Sequence, residues 1–227
     1  MTTSLFTRVE LLRDVPASAL RQLLVPSSPA ARTVSSHRLI WTLFGDTAER
    51  ERDFLWREHA PGVFYVLSDR PPRDLHGLFR IEPPREFSVA LSPGDRLSFE
   101  VRVNATVSRG GKPGVRGKRC DVVMDAIYAV RGEGRADARR AEVSRVASEW
   151  MQRQGLSAGF ELEALEVLGY SAIRHPRKRG DADATMGVLD LRGSLTVRAP
   201  ESFLRSLRSG IGRSRAFGCG LMLIKRA

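Results

Sequence analysis

The chain has 227 residues, enough for one large domain or two small ones around a real hydrophobic core. Hydrophobic residues make up 42% and charged residues 28%, the composition of an ordinary globular protein, which excludes a disordered chain and a membrane-embedded one. The charge is less ordinary: 37 Lys and Arg against 26 Asp and Glu leave a formal +11, so the expected partner is a polyanion, and without a basic amphipathic helix to lie on a membrane, a nucleic acid.

The first apolar stretch alternates, with Leu5, Thr7, Val9 and Leu11 on one side and Phe6, Arg8, Glu10 and Leu12 on the other, the period of a strand with one buried face. Its charges speak against an export signal, and no apolar run approaches the ~18 residues that span a bilayer, so the cytoplasm is the expected compartment and no membrane partner is expected. After a Pro- and Ser-rich linker around Pro26 to Pro29, Ser35 and Ser36 stand as helix caps before Leu39, Ile40, Leu43 and Phe44, with the helix ending near Gly45. A second helix is expected from about Thr47 to Glu58. Short strands follow at Val63 to Leu67, Leu78 to Ile81 and Phe87 to Leu91, broken by prolines.

Ser92, Pro93 and Gly94 form a turn cluster that marks a domain boundary, dividing the chain into 1–92 and 95–227. Beyond it the pattern reads strand (Arg96 to Ala105), helix (Asp137 to Gln154), strand (Phe160 to Leu168), strand (Val188 to Val197), helix (Pro200 to Ser209) and strand (Leu221 to Ile224). That is the β-α-β-β-α-β order of a ferredoxin-like unit. The N-terminal part reads as a degraded copy, so the expected class is α+β, with two tandem ferredoxin-like (RRM-like) domains.

Three segments and one histidine carry candidate chemistry. Between Ser108 and Arg119 lie Arg109, Lys112, Arg116, Lys118 and Arg119 among four glycines with no acidic residue, a composition that suits a phosphate backbone. Arg174, His175, Arg177, Lys178 and Arg179 form the tip of a long hairpin. A third segment, from Gly210 to Gly220, has Gly210, Gly212, Gly218 and Gly220 around Arg213 and Arg215; it lacks the Gly-Lys-Ser/Thr ending of a P-loop and precedes a strand, so its amides and arginines are expected to hold phosphates in some other way. His37 stands at the start of a helix, where the dipole favours a neutral ring suited to proton transfer. Cys120 and Cys219 are far apart and lack ligand-spaced neighbours, so neither a disulfide framework nor a zinc site is expected.

The terminal run Gly210-Ile211-Gly212, Arg213-Ser214-Arg215-Ala216-Phe217, Gly218-Cys219-Gly220-Leu221 resembles the C-terminal glycine-rich motif of the CasE endoribonucleases of type I-E CRISPR Cascade complexes. His37 with Trp41, Leu43 and Phe44, then Arg52 to Leu55, is similar to that family's histidine helix and the segment after it; Arg102, Asn104, Lys118, Arg119 and Cys120 add a third region. The resemblance implies that the chain binds the repeat stem-loop of precursor CRISPR RNA and cuts on the 3′ side of the stem without metal or cofactor. It further implies that the mature guide RNA stays bound and that the protein joins other Cascade subunits.

His37 maps onto the catalytic histidine. The family carries a tyrosine where this chain has Val34, and Ser35 or Ser36 is the expected substitute; Lys118 or Arg119 is the candidate for transition-state charge. The catalytic set is therefore His37, Ser36 and Lys118, and the RNA-binding set Arg38, Arg109, Lys112, Arg116, Arg119, Arg174, Arg177, Lys178, Arg179, Arg213 and Arg215. A non-catalytic RNA-hairpin-binding subunit and a generic basic ribosomal or tRNA-binding protein are the alternatives.

Overall fold

The structure, a computed structural model, describes residues 4–12, 29–45, 52–110, 117–175 and 184–227. Strand β1 (Leu5–Leu11) buries every second side chain, as its alternation requires. It pairs antiparallel with β3 (Val63–Ser68) and β4 (Phe79–Ile81), while β2 (Phe54–Ala60) pairs with the far edge of β3, so the sheet runs β2-β3-β1-β4. A two-residue strand, β5 (Arg85–Glu86), also pairs with β1. Helix α1 (Pro29–Thr42) places Leu39 and Ile40 in the core of this sheet, with Leu43 and Phe44 beyond its end, against Val9, Phe54, Trp56, Phe64 and Val66. Each large apolar side chain buried here contributes roughly 1.5–3 kcal/mol.

Three expectations are corrected in this half. Helix α1 begins at Pro29 rather than at Ser35 or Ser36, so those serines are interior residues and His37 lies well past the first turn, where the dipole argument fades. Phe54 to Glu58 is strand rather than helix. The misleading feature is a buried run on both faces: Phe54 and Trp56 point into the core under α1, and Leu55 packs with Leu67 and Leu221 on the other side. Phe87 to Leu91 is not a strand, the pairing there being confined to Arg85 and Glu86.

In the second half, β6 (Arg96–Val103), β9 (Phe160–His175), β10 (Ala184–Val197) and β11 (Met222–Arg226) form an antiparallel sheet in the order β11-β6-β10-β9. Taken in chain order within each half, both sheets place their strands second-third-first-fourth. Helices α3 (Gly134–Ala158) and α4 (Pro200–Ser209) contribute Trp150, Met151, Phe203 and Leu207 to a core with Phe99, Val101, Leu191 and Leu195. The fold is thus mixed α+β with more than one sheet. A ribbon of β7 (Thr106–Arg109) and β8 (Lys118–Asp121) stands outside the main sheets and leads into the short helix α2 (Val122–Ala126). Leu55 and Leu67 of the first sheet meet Leu221 beside the second, and Arg57 reaches Glu100 at 3.4 Å. Among the described residues, no helix is long and apolar enough to cross a membrane.

Asp121 fastens the ribbon to α2. Its Oδ1 accepts from the amides of Val123 and Met124, both at 2.9 Å, and from the Tyr170 hydroxyl at 3.0 Å, whereas Oδ2 is buried without a partner. Burial therefore raises the Asp121 pKa above the ordinary carboxylate value, against the opposing pull of these hydrogen bonds. A carboxyl raised on folding binds its proton more tightly in the folded chain, so stability present below the ordinary carboxylate pKa is lost as pH rises through the raised one. Asp121→Asn keeps the capping oxygen and carries no charge. Its melting temperature is expected to equal or exceed wild type at pH 7, with the difference shrinking at pH 4; a thermal-melt series across that range measures it.

Candidate active site

The glycine-rich segment folds back on itself because its ends are tied. The Ile211 amide donates to Gly220 O at 2.9 Å, and the Gly220 amide donates to Arg102 O at 2.7 Å on β6. Asn104 holds the middle: its Nδ2 donates to Gly187 O at 2.7 Å, its Oδ1 accepts from Ser214 Oγ at 3.0 Å, and its backbone bridges to Arg213. Gly218 lies at φ 75°, and a Cβ built there would stand 2.9 Å from the Trp56 ring, so the position needs glycine for both conformation and room. The amides of Gly210, Gly218 and Gly220 bond to backbone carbonyls of the chain itself. Those three amides therefore shape the loop.

The loop's 3-10 turn, Arg215–Phe217, packs against α1 and β2. There the Ala216 carbonyl receives two side chains from the other half of the molecule, His37 Nδ1 at 2.7 Å and Trp56 Nε1 at 3.1 Å. A carbonyl only accepts, so His37 Nδ1 carries the proton, and in the neutral ring the lone pair sits on Nε2. The Phe217 ring lies 5.0 Å from the imidazole at 35°, and Trp41 lies edge-on at 6.2 Å. His37 is half-buried. The arrangement suits a proton acceptor whose tautomer is fixed by the fold.

Behind the loop, Arg102 forms a two-pronged pair with Asp190, both contacts at 2.8 Å, and this bond raises the Arg102 pKa. Cys219 is buried beside them and its thiol is pushed up to about 12, chiefly by burial, so it stays a neutral packing residue.

A family model described as "CRISPR associated protein" matches residues 7–226. The chain belongs to this CRISPR-associated protein family. Within it, the match is to the Cse3, or CasE, type. The chain is 28% identical over 227 aligned residues to the CRISPR-associated endoribonuclease Cse3 of Thermus thermophilus, covering 89% of this chain and 96% of the relative. Thermus thermophilus Cse3 bound to an RNA representing a pre-cleavage complex superposes with a TM-score of 0.65 at 23% identity over 98% of this chain and 99% of that one. A chain of a CRISPR RNA-guided surveillance complex gives a TM-score of 0.59 at 18% identity over 99% and 100%.

The structure of this CRISPR-associated chain brings some of the expected residues together and separates others. His37, Arg213 and Arg215 share one neighbourhood with the glycine-rich loop, and Arg38 is exposed next to the histidine. Ser36 is only 1% exposed, so its hydroxyl faces the core and not an incoming substrate, contrary to the role expected of it; Ser35 is half-buried. Lys118 and Arg119 are exposed on the ribbon, whose packing neighbour is α2. Arg109 is exposed but paired through Nε and Nη2 with Asp125, an acid just beyond the purely basic segment. Strand β9 runs through Arg174 and His175, which face Thr185 and Ala184 across the ladder, so the basic cluster begins on the strand rather than in the turn. Lys112, Arg116, Arg177, Lys178 and Arg179 lie outside the described residues. Trp56 and the Ala216 carbonyl were not singled out by the sequence, although an indole N–H in a buried apolar run always needs an acceptor.

Proposed function

We propose that this protein is a CRISPR repeat-specific endoribonuclease that holds the repeat stem-loop, cuts on the 3′ side of the stem without metal, and stays on the guide RNA as a Cascade subunit. One observation carries the chemistry: His37 is fixed by the Ala216 carbonyl with Nε2 as the accepting nitrogen. Nε2 takes the proton of a ribose 2′-hydroxyl; the 2′-oxygen bonds to the adjacent phosphorus while the P–O5′ bond breaks. The products are a 2′,3′-cyclic phosphate and a 5′-hydroxyl, the leaving oxygen receiving a proton in turn. Cations by the loop offset the charge that grows on the phosphate, and Lys118 and Arg119 extend the basic surface on the ribbon.

The names of the relatives support this reading, one being an endoribonuclease, one an RNA-bound Cse3 and one part of an RNA-guided assembly. The repeated strand order supports two tandem ferredoxin-like units, 1–92 and 95–227, with the histidine in the first and the glycine-rich loop in the second. Incubating the protein with a CRISPR-repeat hairpin RNA in EDTA tests the reading. Fragments ending in a cyclic phosphate and a 5′-hydroxyl are expected. RNA that binds saturably and stays intact would overturn it in favour of a hairpin-holding subunit.

A further inference from the structure

Next to the loop that anchors His37 is a cleft of about 760 Å³ lined by Arg52, Arg213, Arg215, Ser209, Ser214 and Ala216, among others. We propose that this cleft is a phosphate-binding groove for the single-stranded RNA adjoining the cleavage site, with Arg52 a binding residue. The inference rests on the endoribonuclease reading above.

Several arginines elsewhere in the fold are held by acids. Arg8, Arg70, Arg96, Arg102, Arg145 and Arg198 each pair with an acidic side chain. Among the described residues none of Arg52, Arg213 and Arg215 does, and Arg215 spends one donor on the Gly212 carbonyl at 3.3 Å. They also oppose one another: burial and then Arg215 lower the Arg52 pKa, and burial and then Arg213 lower that of Arg215. A fold that gathers like charges without pairing them to acids leaves an attraction for an anion unspent.

A duller explanation is that these arginines complement helix ends, since α3 and α4 both finish at the cleft, through Ala158 and Ser209. Two helix C-termini supply roughly half a negative charge each. Three guanidinium groups exceed that by about two positive charges. The volume decides the kind of anion. Sites of roughly 300–1,000 Å³ take a whole small molecule, so a nucleotide fits where a lone ion would rattle, and a duplex is far too wide. Hydroxyls and amide groups on the walls match ribose and phosphate better than bases. The cleft is continuous with the chemistry because Ala216 lines it and holds His37.

Three RNAs test the groove on the full chain: the repeat hairpin with a single nucleotide beyond the cut site, that hairpin with a single-stranded 5′ flank, and the hairpin with an uncleavable 2′-deoxy cut site and a longer 3′ flank. For wild type, one flank is expected to strengthen binding and steepen its salt dependence, and that arm identifies which side of the stem occupies the cleft. Arg52→Gln is expected to reduce the slope of log affinity against log salt by about 0.7 on that RNA. Its effect on the unflanked hairpin is expected to be smaller. Arg52→Lys keeps the charge and should restore the slope. Equal losses on all three RNAs, or none on any, overturn the groove while hairpin cutting by wild type upholds the nuclease. Wild type that binds none of the three overturns both.

Discussion

Replacing His37 with Ala is expected to slow cutting of the repeat hairpin by about 10²- to 10⁴-fold, the usual worth of a positioned proton-transfer group, with affinity for the RNA within a few-fold of wild type. The split follows from position. The imidazole is held by its bond to Ala216 and by ring contacts with Phe217 and Trp41, and it is only half-buried, so its loss is expected to leave the binding surfaces standing. Single-turnover rates and filter-binding affinities measured on the same preparation check both halves. Full activity in His37→Ala would end the assignment of that residue, and a parallel collapse of affinity would mean it binds rather than transfers protons.

The second large effect is expected from the smallest change. Gly218→Ala forces a left-handed backbone on a residue with a Cβ and drives that carbon against the Trp56 ring, which is only 1% exposed and has nowhere to go. Left-handed strain and overpacking together amount to about 2–5 kcal/mol. Because Trp56 and His37 share the Ala216 carbonyl, the shift also moves the imidazole, and the cutting rate is expected to fall along with the melting temperature. Gly77→Ala supplies the control. It has a similar φ of 66° but nothing within 4 Å of the new carbon, so it isolates the backbone part. Equal melting temperatures and equal rates for the two variants would show that the Trp56 contact does not matter.

Both effects turn on contacts that the sequence half reveals. The alternation from Arg96 to Val103 and the capless but amphipathic stretch from Pro200 to Ser209 are local patterns, and they appear in the structure with almost the same bounds. Phe54 to Glu58 misleads for a physical reason. A strand packed on both faces loses the alternation that marks a strand, and the Glu- and Arg-rich residues before it read as helix. The start of α1 misleads differently: two serines look like caps wherever they fall, and only the chain upstream shows that the helix is already under way. At the site, His37 and the glycine-rich loop stand out by residue type. Their meeting point does not, because Ala216 contributes a backbone oxygen and no side chain. Trp56 lies within the stretch expected as helix. The arginine cluster is scattered between residues 52 and 215, so only folding reveals that its members form no ion pair among the described residues.

The bond between residues 37 and 216 also has a timing. A ribosome delivers the N-terminal sheet and its histidine early, while the carbonyl that orients the ring and the strand that closes the second sheet are made much later. Until then the ring lacks the acceptor that fixes its tautomer. A half-made chain therefore lacks the contact on which the proposed cutting depends.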